Sequence, residues 1–313
     1  MKIAITGATG FIGKKLVMKH LEMGDDVQIM SRKKRSDLDF PELVKVHHLD
    51  LMDQHEKLIS FVEGIDVLYH CAAEIKDESK MFQVNVQGTK NLLDAAKGRL
   101  KHWVQLSSTG VYGHILSGEV FETQKIDPMN TYERSKVAAD NLVIYAGLNN
   151  FFTYGILRPS NVFGPEMSNQ SLFQLVRALD KGMFFFIGPK GANANYVPVD
   201  NVVQALILVG RDKRANGRIY NISDTRTIEE FIAQAAKCLG KAVPKLRVPL
   251  FLMKGLGLIG NMIPGSPLTT GRVDALSTRV RYDIGTIEKE LDYTPVVTME
   301  QVIEDLVEAY RRR

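Results

Sequence analysis

Short apolar runs alternate along the first half of the chain with longer segments in which apolar residues recur every three or four positions. The short runs are typical of buried strands and the longer period is typical of helices. The predicted strands are Lys2–Thr6, Asp26–Ser31, Val44–Leu49, Asp66–Cys71, Trp103–Ser107 and Thr153–Leu157. The predicted helices are one that begins at Gly10, Gln54–Glu63, Met81–Lys97 and Thr131–Leu148. This alternation predicts an α/β fold with a doubly wound parallel sheet of the Rossmann type.

The second half of the chain is less regular, because proline and glycine recur at short intervals. We predict a sheet domain at residues 1–165 and, at residues 166–313, mainly a smaller C-terminal lobe that binds substrate. About residues 196–222 are expected to return to the first domain. Two helical patterns, Pro198–Val209 and Met299–Tyr310, are predicted to pack on the main body.

The longest apolar stretch is Val248–Pro264, "VPLFLMKGLGLIGNMIP". It is too short, too rich in glycine and too interrupted by Lys254 to span a bilayer. We therefore expect a buried helix or a cover over the substrate, with a role at a membrane surface as the weaker alternative.

Composition adds limits on partners and compartment. The 313 residues are 45% hydrophobic, enough for a sizeable core, and the net charge is only +4. We predict no nucleic-acid partner and no stable membrane insertion. Cys71 and Cys238 are far apart, and no leader pattern is seen at Met1, so we expect reduced thiols and a cytoplasmic protein. We predict no metal site.

The opening sequence contains a glycine motif, Gly7-x-x-Gly10-x-x-Gly13, between the first strand and the first helix. Glycine permits a tight turn and lets backbone N–H groups approach a pyrophosphate at the positive end of the helix. A plain strand-to-helix turn explains two of the glycines but not the whole context. The motif therefore predicts a bound dinucleotide.

The end of the second strand bears on which dinucleotide is bound. An NAD site usually has a carboxylate there, on the ribose 2′-hydroxyl. This chain has Ser31, Arg32 and Lys33 instead, and a hydroxyl with a guanidinium suits a 2′-phosphate. We predict a preference for NADP(H), with NAD(H) as the alternative. The competing interpretation is that residues 32–35 are a solvated loop.

Later strand ends add further cofactor candidates. Asp50 follows the third strand, where its carboxylate can accept the adenine amino group, although it or the better placed Asp53 can instead cap the next helix. Ala72 and Ala73 follow the fourth strand, where small residues let the backbone pass close to the cofactor.

A second group of residues carries the predicted chemistry. Tyr132 and Lys136 are four residues apart on a predicted helix, so their side chains share a face. An ammonium beside the phenol is expected to lower the tyrosine pKa and suit it to acid-base work. Ser108 ends a strand at the ligand-binding edge, where its hydroxyl can bind a substrate carbonyl.

Eight segments together resemble the extended short-chain dehydrogenases/reductases, the nucleotide-sugar epimerase/dehydratase group, over essentially the whole chain. They are "TGATGFIG" (Thr6–Gly13), "LDLMD" (Leu49–Asp53), "HCAA" (His70–Ala73), "NVQGTKNLLDAA" (Asn85–Ala96), "SSTGVYG" (Ser107–Gly113), "YERSK" (Tyr132–Lys136), "LRPSNVFGP" (Leu157–Pro165) and "YDIGTIEKELDYTP" (Tyr282–Pro295).

The resemblance implies a role for individual residues. Ser108, Tyr132 and Lys136 are the implied catalytic trio, and Asn161 with Ser108 would contact substrate. Asn85 would bridge the sheet and the active-site helix. The motifs and the resemblance together give these predicted cofactor residues: Gly7, Thr9, Gly10, Phe11, Ile12, Ser31, Arg32, Asp50, Leu51, Ala72, Ala73, Tyr132, Lys136, Pro159 and Val162. The family also implies a homodimer through the helices at Met81–Lys97 and Thr131–Leu148.

Departures from the family pattern reduce the number of activities that we expect for this chain. Dehydratases of this group carry Asp-Glu where this chain has Thr109-Gly110, so dehydration is not expected. Nucleotide-sugar enzymes of this group often have an arginine that pairs with the substrate diphosphate, and this chain has Asn193 near that place. Arg272 is the candidate to supply the phosphate contact instead. The stretch "NYVPVDNVVQALILV" also resembles 3β-hydroxysteroid dehydrogenase-like reductases, whose substrates carry no diphosphate.

We therefore predict an NAD(P)-dependent oxidoreductase that transfers hydride at a secondary alcohol or ketone of a small molecule, with a nucleotide sugar as the favoured substrate. The alternatives are a nucleotide-sugar epimerase that retains its cofactor, a 3β-hydroxysteroid dehydrogenase-like or other ketone or aldehyde reductase, and a non-catalytic NADP(H)-binding regulator. The regulator is disfavoured because the serine, tyrosine and lysine are all present.

Overall fold

The computed structural model describes residues 1–167, 170–261 and 270–313, without the side chains of residues 259–261, 272 and 275. The strands are β1 (Lys2–Thr6), β2 (Asp26–Ser31), β3 (Lys45–His48), β4 (Val67–His70), β5 (His102–Leu106), β6 (Ser117–Val120), β7 (Thr153–Pro159), β8 (Asn161–Phe163), β9 (Phe186–Ile187), β10 (Asn193–Pro198), β11 (Arg218–Ile222), β12 (Asp224–Thr227), β13 (Arg247–Val248) and β14 (Arg279–Tyr282).

The helices connect these strands and cover the sheet. They are α1 (Phe11–Glu22), α2 (His55–Val62), α3 (Glu78–Met81), α4 (Gly88–Ala96), α5 (Thr131–Leu148), α6 (Ser171–Asp180), α7 (Val199–Arg211), α8 (Ile228–Leu239), α9 (Leu250–Asn261), α10 (Thr270–Ala275), α11 (Gly285–Leu291) and α12 (Met299–Arg311). A π-helical stretch, Phe82–Gln87, joins α3 to α4 and makes one continuous helical segment.

Seven parallel strands form the main sheet in the order β11-β7-β5-β4-β1-β2-β3. The strand order changes direction at β1, where Ile3 pairs with Val27 of β2 on one side and Val67 of β4 on the other. Open α/β sheets bind ligands at such a point, beyond the carboxyl ends of the strands. The predicted fold class is confirmed.

Two apolar layers cover the faces of this sheet, because successive residues of a strand point to opposite sides. Ile3 and Ile5 of β1 pack in a layer with the buried residues of α1 and α7. Ala4 of the same strand packs in the other layer, with Trp103 and the buried residues of α2, α4 and α5. The period-2 pattern of β1 therefore accounts for both layers.

A second apolar core lies in the C-terminal half. It is built from the buried faces of α6, α8 and α12 against Phe163 and the β10 region. The prediction that the helix at Met299–Tyr310 packs on the main body is wrong, because Val302 and Leu306 of α12 are buried in this second core. Its apolar period was read correctly, but a period does not identify the partner surface.

Two segments of the C-terminal half do lie on the main sheet. Helix α7 packs against α1 and strands β4, β5 and β7, and strand β11 pairs with β7. Three smaller sheets, β12-β10-β8, β13-β9 and β14-β6, lie outside the main one. The division of the chain at residue 165 stays a prediction.

The apolar stretch at Val248–Pro264 includes helix α9, which ends at Asn261, and residues 262–264 lie outside the described part. Met253 and Gly257 are buried, but Phe251, Leu252, Leu256 and Leu258 are exposed. The expectation of a buried helix is therefore wrong for most of its described side chains. In the part of the chain that the structure describes, no helix combines the length and apolar character needed to cross a membrane.

Candidate active site

The glycines of the opening motif let the backbone close tightly after β1. Gly7 has a φ of +68°, and a Cβ there would lie 2.6 Å from the backbone of Cys71 and Ala72. A Cβ on Gly13 would lie 2.2 Å from the Gly7 carbonyl oxygen. Any side chain at either position would force the loop, β4 and α1 apart, so glycine is required at both.

The N-terminus of α1 is suited to an anion. Its first turn has no acidic residue, and Gly10 at the N-cap has no side chain to bind the free N–H groups. Backbone N–H groups and the helix dipole then remain for a pyrophosphate. The residues present therefore fit a dinucleotide cofactor.

A cleft of about 770 Å³ opens at the carboxyl end of the main sheet. Nine of the predicted cofactor residues line it: Gly7, Gly10, Phe11, Ile12, Ala73, Tyr132, Lys136, Pro159 and Val162. The loop after β4 adds Ile75 and Lys76, which the sequence did not single out. Six predicted residues do not line this cleft: Thr9, Ser31, Arg32, Asp50, Leu51 and Ala72.

Three of these six lie together beyond β2 and β3. Arg32 is 78% exposed, and its Nε lies 3.9 Å from Asp50 Oδ2. The Ser31 side chain is buried, and its Oγ accepts the N–H of Lys33. The side chains are close enough to serve one end of an extended cofactor, while the choice between NADP(H) and NAD(H) stays a prediction.

The remaining three have structural contacts. Leu51 is buried against Gly88, where a Cβ would lie 2.9 Å away from it. Ala72 donates its N–H to Thr6 Oγ1, and Thr9 lines a separate groove beside α1. Asp53 does not cap α2, which begins at His55 without a side-chain cap. Instead it accepts the Asp50 N–H.

Tyr132 and Lys136 lie in the first turns of α5. The helix starts with a capping box in which Asn130 and Glu133 bind each other's backbone N–H groups. This cap fixes the start of the helix next to the carboxyl end of β5. Lys136 is 4% exposed, and its Nζ donates to the carbonyl oxygen of Leu106 at that strand end.

The pKa of Tyr132 differs from the sequence-based expectation. The pKa is raised to about 12, chiefly by burial and also by the charge of Asp140, while a hydrogen bond to Ser108 acts the other way. The expected lowering of this pKa by Lys136 is therefore wrong for this structure. Burial lowers the pKa of Lys136 itself. At neutral pH Tyr132 is a phenol with a proton to give.

The two neighbouring serines have different surroundings. Ser107 is buried and donates its Oγ–H to Asp140 Oδ2 over 2.7 Å. Ser108 Oγ faces the cleft, accepts the N–H of Gly110 and bonds with Tyr132. Only Ser108 therefore presents its hydroxyl beside the tyrosine, as the family resemblance implied.

A buried ion pair behind the trio was not predicted. Asp140 lies one turn beyond Lys136 on α5, and its Oδ2 is 3.3 Å from a guanidinium nitrogen of Arg158 on β7. Both side chains are almost fully buried, and burial raises the pKa of Asp140. The signal was present, because Asp140 follows Lys136 by four residues and Arg158 lies in the family motif "LRPSNVFGP".

A second buried network joins the glycine loop to α5. Thr6 Oγ1 lies 2.7 Å from His70 Nδ1, and His70 Nε2 lies 2.9 Å from Thr89 Oγ1. Burial lowers the pKa of His70 to about 3, so the ring is neutral. Asn85 donates to Ser135 Oγ and binds both backbone groups of Glu74. Asn85 therefore links α5 to the loop after β4, whereas the resemblance implied a bridge from α5 to the sheet.

A second cleft, of about 460 Å³, adjoins the first. Ser108, Tyr132, Ser160 and Asn161 line both clefts, whereas Lys136 lines only the first. The apolar part of its lining is Ile115, Leu116, Tyr196, Ile228, Leu276, Val280 and Tyr282. Its charged lining, within the described residues, is Glu133 and Asp274, with His114 3.7 Å from Asp274.

Asn193 stands near the place where related enzymes have a diphosphate-binding arginine. Asn193 lines the second cleft, but its Nδ2 donates to the Val280 carbonyl, as does that of Asn195. The Arg272 side chain lies outside the described residues. Among the described residues that line this cleft there is no lysine or arginine.

A sequence model of the NAD dependent epimerase/dehydratase family matches residues 3–223. The chain is 29% identical over 292 residues to 3beta-hydroxysteroid-dehydrogenase/decarboxylase isoform 2 of Arabidopsis thaliana, covering 83% of this chain and 51% of that protein. It therefore spans about half the length of that relative.

Two further relatives differ in their named activities. The chain is 27% identical over 267 residues to N-acetyl-alpha-D-glucosaminyl-diphospho-ditrans,octacis-undecaprenol 4-epimerase of Escherichia coli O157:H7, covering 82% of this chain and 77% of that protein. It is 28% identical over 338 residues to 3 beta-hydroxysteroid dehydrogenase/Delta 5-->4-isomerase of Mycobacterium tuberculosis (strain ATCC 25618 / H37Rv), covering 99% and 90%.

Solved structures share the fold over the whole chain. UDP-glucuronic acid 4-epimerase from Bacillus cereus in complex with NAD superposes with a TM-score of 0.76 at 22% identity, covering 100% of this chain and 99% of that one. DesIV, a dTDP-glucose 4,6-dehydratase from Streptomyces venezuelae with NAD and TYD bound, gives 0.76 at 24% identity, covering 100% and 98%.

Proposed function

The chain belongs to the NAD-dependent epimerase/dehydratase family, and within this family of oxidoreductases and epimerases we propose that it is a dehydrogenase or reductase with an exchangeable cofactor. It acts at a secondary alcohol or the corresponding ketone. Ser108, Tyr132 and Lys136 carry the reaction. The observation that carries this proposal is the position of Ser108 and Tyr132, which line both clefts at their junction.

The proposed chemistry divides between the two clefts. A bound nicotinamide supplies or accepts the hydride. Ser108 donates a hydrogen bond to the substrate oxygen, and Tyr132 gives that oxygen a proton as a ketone becomes an alcohol. In the reverse direction the phenolate of Tyr132 takes the hydroxyl proton. Lys136 lies on the cofactor side of the site, where it lines the first cleft.

We propose an uncharged, largely apolar alcohol as the substrate class. The described lining of the second cleft combines apolar side chains with uncharged hydroxyl and amide groups, and its charged residues there include two carboxylates and no lysine or arginine. A diphosphate in such surroundings would lack a cationic partner and face repulsion. Relatives named as steroid dehydrogenases agree with this class.

A nucleotide sugar is the second candidate, and with it epimerisation. The structural neighbours include enzymes with nucleotide ligands, and one relative is named as an epimerase of a diphosphate-linked sugar. This candidate needs Arg272 to supply the phosphate contact. An epimerase keeps its cofactor through the cycle, whereas a dehydrogenase exchanges it at every turnover.

For the cofactor we propose a preference for NADP(H), supported by Ser31 and Arg32 at the end of β2. Arg32 is free to turn from Asp50 toward a 2′-phosphate, because the two are 3.9 Å apart and the Arg32 side chain is 78% exposed. Calorimetric titration checks this: NADPH should bind more tightly than NADH, and Arg32→Ala should remove the difference. Equal or tighter binding of NADH by the unaltered protein would refute it.

Native mass spectrometry and turnover together test the function. The purified protein should carry no stoichiometric cofactor, and added NADP⁺ should be reduced with a sterol or another apolar secondary alcohol over many turnovers. A tightly held cofactor with conversion of a UDP-sugar, and no need for added cofactor, would favour the epimerase. Cofactor binding without turnover of any sterol, aldehyde or sugar-nucleotide panel would favour the regulator.

A further inference from the structure

Helix α9 has one side against the protein and an apolar side exposed to solvent. Met253 and Gly257 are buried, and Met253 packs with Ile187 and Val273. On the opposite side, Phe251 is 73% exposed and Leu258 is 63% exposed, with Leu252 and Leu256 about half exposed. A helix with apolar residues on its solvent side has an unpartnered face.

The apolar surface continues beyond the helix. Leu246, just before β13, is 64% exposed and accepts the N–H of Phe186 through its carbonyl. The pairing of β13 with β9 places the segment that contains exposed Met183 alongside. We call these exposed residues the α9 surface: Met183, Leu246, Phe251, Leu252, Leu256 and Leu258.

The stretch of sequence that contains α9 carries only positively charged side chains. From Phe231 to Val273 there is no aspartate or glutamate, and the cations are Lys237, Lys241, Lys245, Arg247, Lys254 and Arg272. The whole chain has a net charge of +4, and this segment alone has +6, so the rest of the chain has −2. The segment of sequence that contains α9 is therefore basic.

Some of these cations have partners on neighbouring elements. Lys241 lies 3.5 Å from Asp180, Lys254 lies 3.8 Å from Asp274, and Arg247 binds Glu229. Lys237 and Lys245 are exposed and have no carboxylate within 4 Å in the described part of the chain. These two remain available to an anionic partner.

We propose that the α9 surface docks on an anionic lipid membrane, with its apolar side chains in the headgroup region and its lysines against lipid phosphates. Apolar residues interleaved with lysine, on an element that is too short to span, are the pattern of an interfacial segment. Anionic lipid attracts clustered lysine and arginine, whereas a second protein copy would bring like charges together. Charge complementarity therefore selects the membrane as the occupant.

Helix α9 is linked to the second cleft through α10. Met253 of α9 packs on Val273 of α10, and Gly271 and Asp274 of α10 line the cleft. A membrane under α9 thus lies behind one wall of the cleft. If the substrate is the apolar alcohol of the proposed function, it can pass from the lipid into this side of the site. The docking itself rests only on the surface and not on that function.

Vesicle flotation with the full chain tests the docking. The probes are vesicles of phosphatidylcholine alone and of phosphatidylcholine mixed with phosphatidylglycerol. The protein should float with the mixed vesicles, float poorly with phosphatidylcholine alone, and be released by salt. Phe251→Ser with Leu258→Ser should weaken binding about tenfold or more. Lys245→Gln, next to exposed Leu246, should weaken it roughly fivefold.

Matched controls change exposed residues elsewhere. Leu43→Ser removes an apolar side chain that is more exposed than any on the α9 surface, and Lys289→Gln removes a cation on α11. Both should float like the unaltered protein. Failure of the unaltered protein to bind mixed vesicles would overturn the proposal. A second result would also overturn it: the unaltered protein forms an oligomer and does not bind vesicles, and Phe251→Ser with Leu258→Ser dissociates that oligomer. A second copy of the chain would then cover this face. Turnover of a water-soluble alcohol, measured separately, reports on the proposed function alone.

Discussion

Burial of the Tyr132 hydroxyl controls the expected pH dependence. Its pKa is raised to about 12, so the phenol is protonated at neutral pH and must lose a proton before it can accept one from an alcohol. Alcohol oxidation should therefore accelerate by up to about tenfold per pH unit between about pH 6 and pH 9. Ketone reduction uses the protonated phenol and should change little over the same range.

Initial rates in both directions, at saturating cofactor, measure this difference. The matched control is Tyr132→Phe, whose residual oxidation should lose the rise with pH. An oxidation rate that is flat between about pH 6 and pH 9 would show that Tyr132 ionises lower than its burial indicates, or that another group is the base.

For single residues, the sequence predicted where a side chain lies in the fold better than it predicted the burial and charges around that side chain. The spacing of Tyr132 and Lys136 placed both on one side of α5, and both line the cofactor cleft. The pKa direction of Tyr132 was wrong, because desolvation depends on packing from other elements and is invisible in a spacing. Asp140 and Arg158 were missed for the same reason, since their pairing joins α5 to β7.

The close approach of α1 to the loop after β1 predicts the effect of a methyl group at Gly13. Gly13→Ala places a Cβ against the Gly7 carbonyl, 2.2 Å away in the present backbone, and the loop must shift. We expect a loss of about 1–3 kcal/mol in the free energy of unfolding and weaker cofactor binding. Denaturant unfolding and cofactor titration measure these two effects.

Gly255→Ala is the matched control, because this helical glycine has nothing within 4 Å of an added Cβ. It should be neutral or slightly stabilising, by up to about 1 kcal/mol, as helix propensity dictates. Equal stability of Gly13→Ala and the unaltered protein would mean that the loop tolerates a side chain, and the close-approach explanation of the motif would fail.

The ion pair between α5 and β7 gives a second prediction at the level of elements. Asp140→Asn keeps the shape of the side chain but leaves the Arg158 guanidinium buried without its counter-charge. We expect a loss of about 3–5 kcal/mol in the free energy of unfolding. Combining Asp140→Leu with Arg158→Met should recover much of that stability, because it removes both charges.

Thermal and denaturant unfolding of the three proteins compare these effects. A double variant that is as unstable as Asp140→Asn would show that the charges are not the source of the loss. Hydrogen bonds to Ser107 and Tyr112 would then be the interactions that matter.

The bounds of helices and strands with a strict apolar period were predicted well, but the surfaces against which they pack were predicted less well. The bounds of α5 match the prediction at both ends, and β1 and β2 also agree. The start of the helical segment at Met81 was three residues late, because Asp77 caps the helix at Ser79 and a π-helical stretch continues it. The prediction that α12 packs on the main body was wrong, because an amphipathic pattern identifies the buried side of a helix but not the surface it packs against.

At the scale of the whole molecule, the helical segment from Glu78 to Ala96 and helix α5 lie side by side on one face of the sheet. Tyr145, at 65% exposure, and Leu148 project from α5, and Phe82 projects from the π-helical stretch. We expect these surfaces to meet their copies in a homodimer, as the family resemblance implies. Light scattering of the purified protein measures the mass.

Tyr145→Asp with Leu148→Asp should shift the protein toward monomer by a large factor, since each places a charge in an apolar contact. Leu43→Ser, on a distant loop, should leave the mass unchanged. A monomer at micromolar concentration for the unaltered protein would contradict the predicted dimer.

The architecture and cofactor half of the site could be predicted from sequence, because strand-to-helix junctions with glycine have few solutions. The substrate half could not, because its cleft is assembled from residues far apart in sequence, such as His114, Tyr196 and Asp274. The exposed side of α9 was also missed, since an apolar run alone does not show whether it faces a core or a partner.

In the proposed reaction Tyr132 transfers the proton at the junction of the two clefts. The direct measurement is the rate at which reduced nicotinamide appears when the protein, its cofactor and an apolar secondary alcohol are mixed, compared with Tyr132→Phe. We predict that Tyr132→Phe binds the cofactor as tightly as the unaltered protein and has a kcat lower by about 10²–10⁴-fold. Turnover by Tyr132→Phe at the unaltered rate would show that Tyr132 does not transfer the proton.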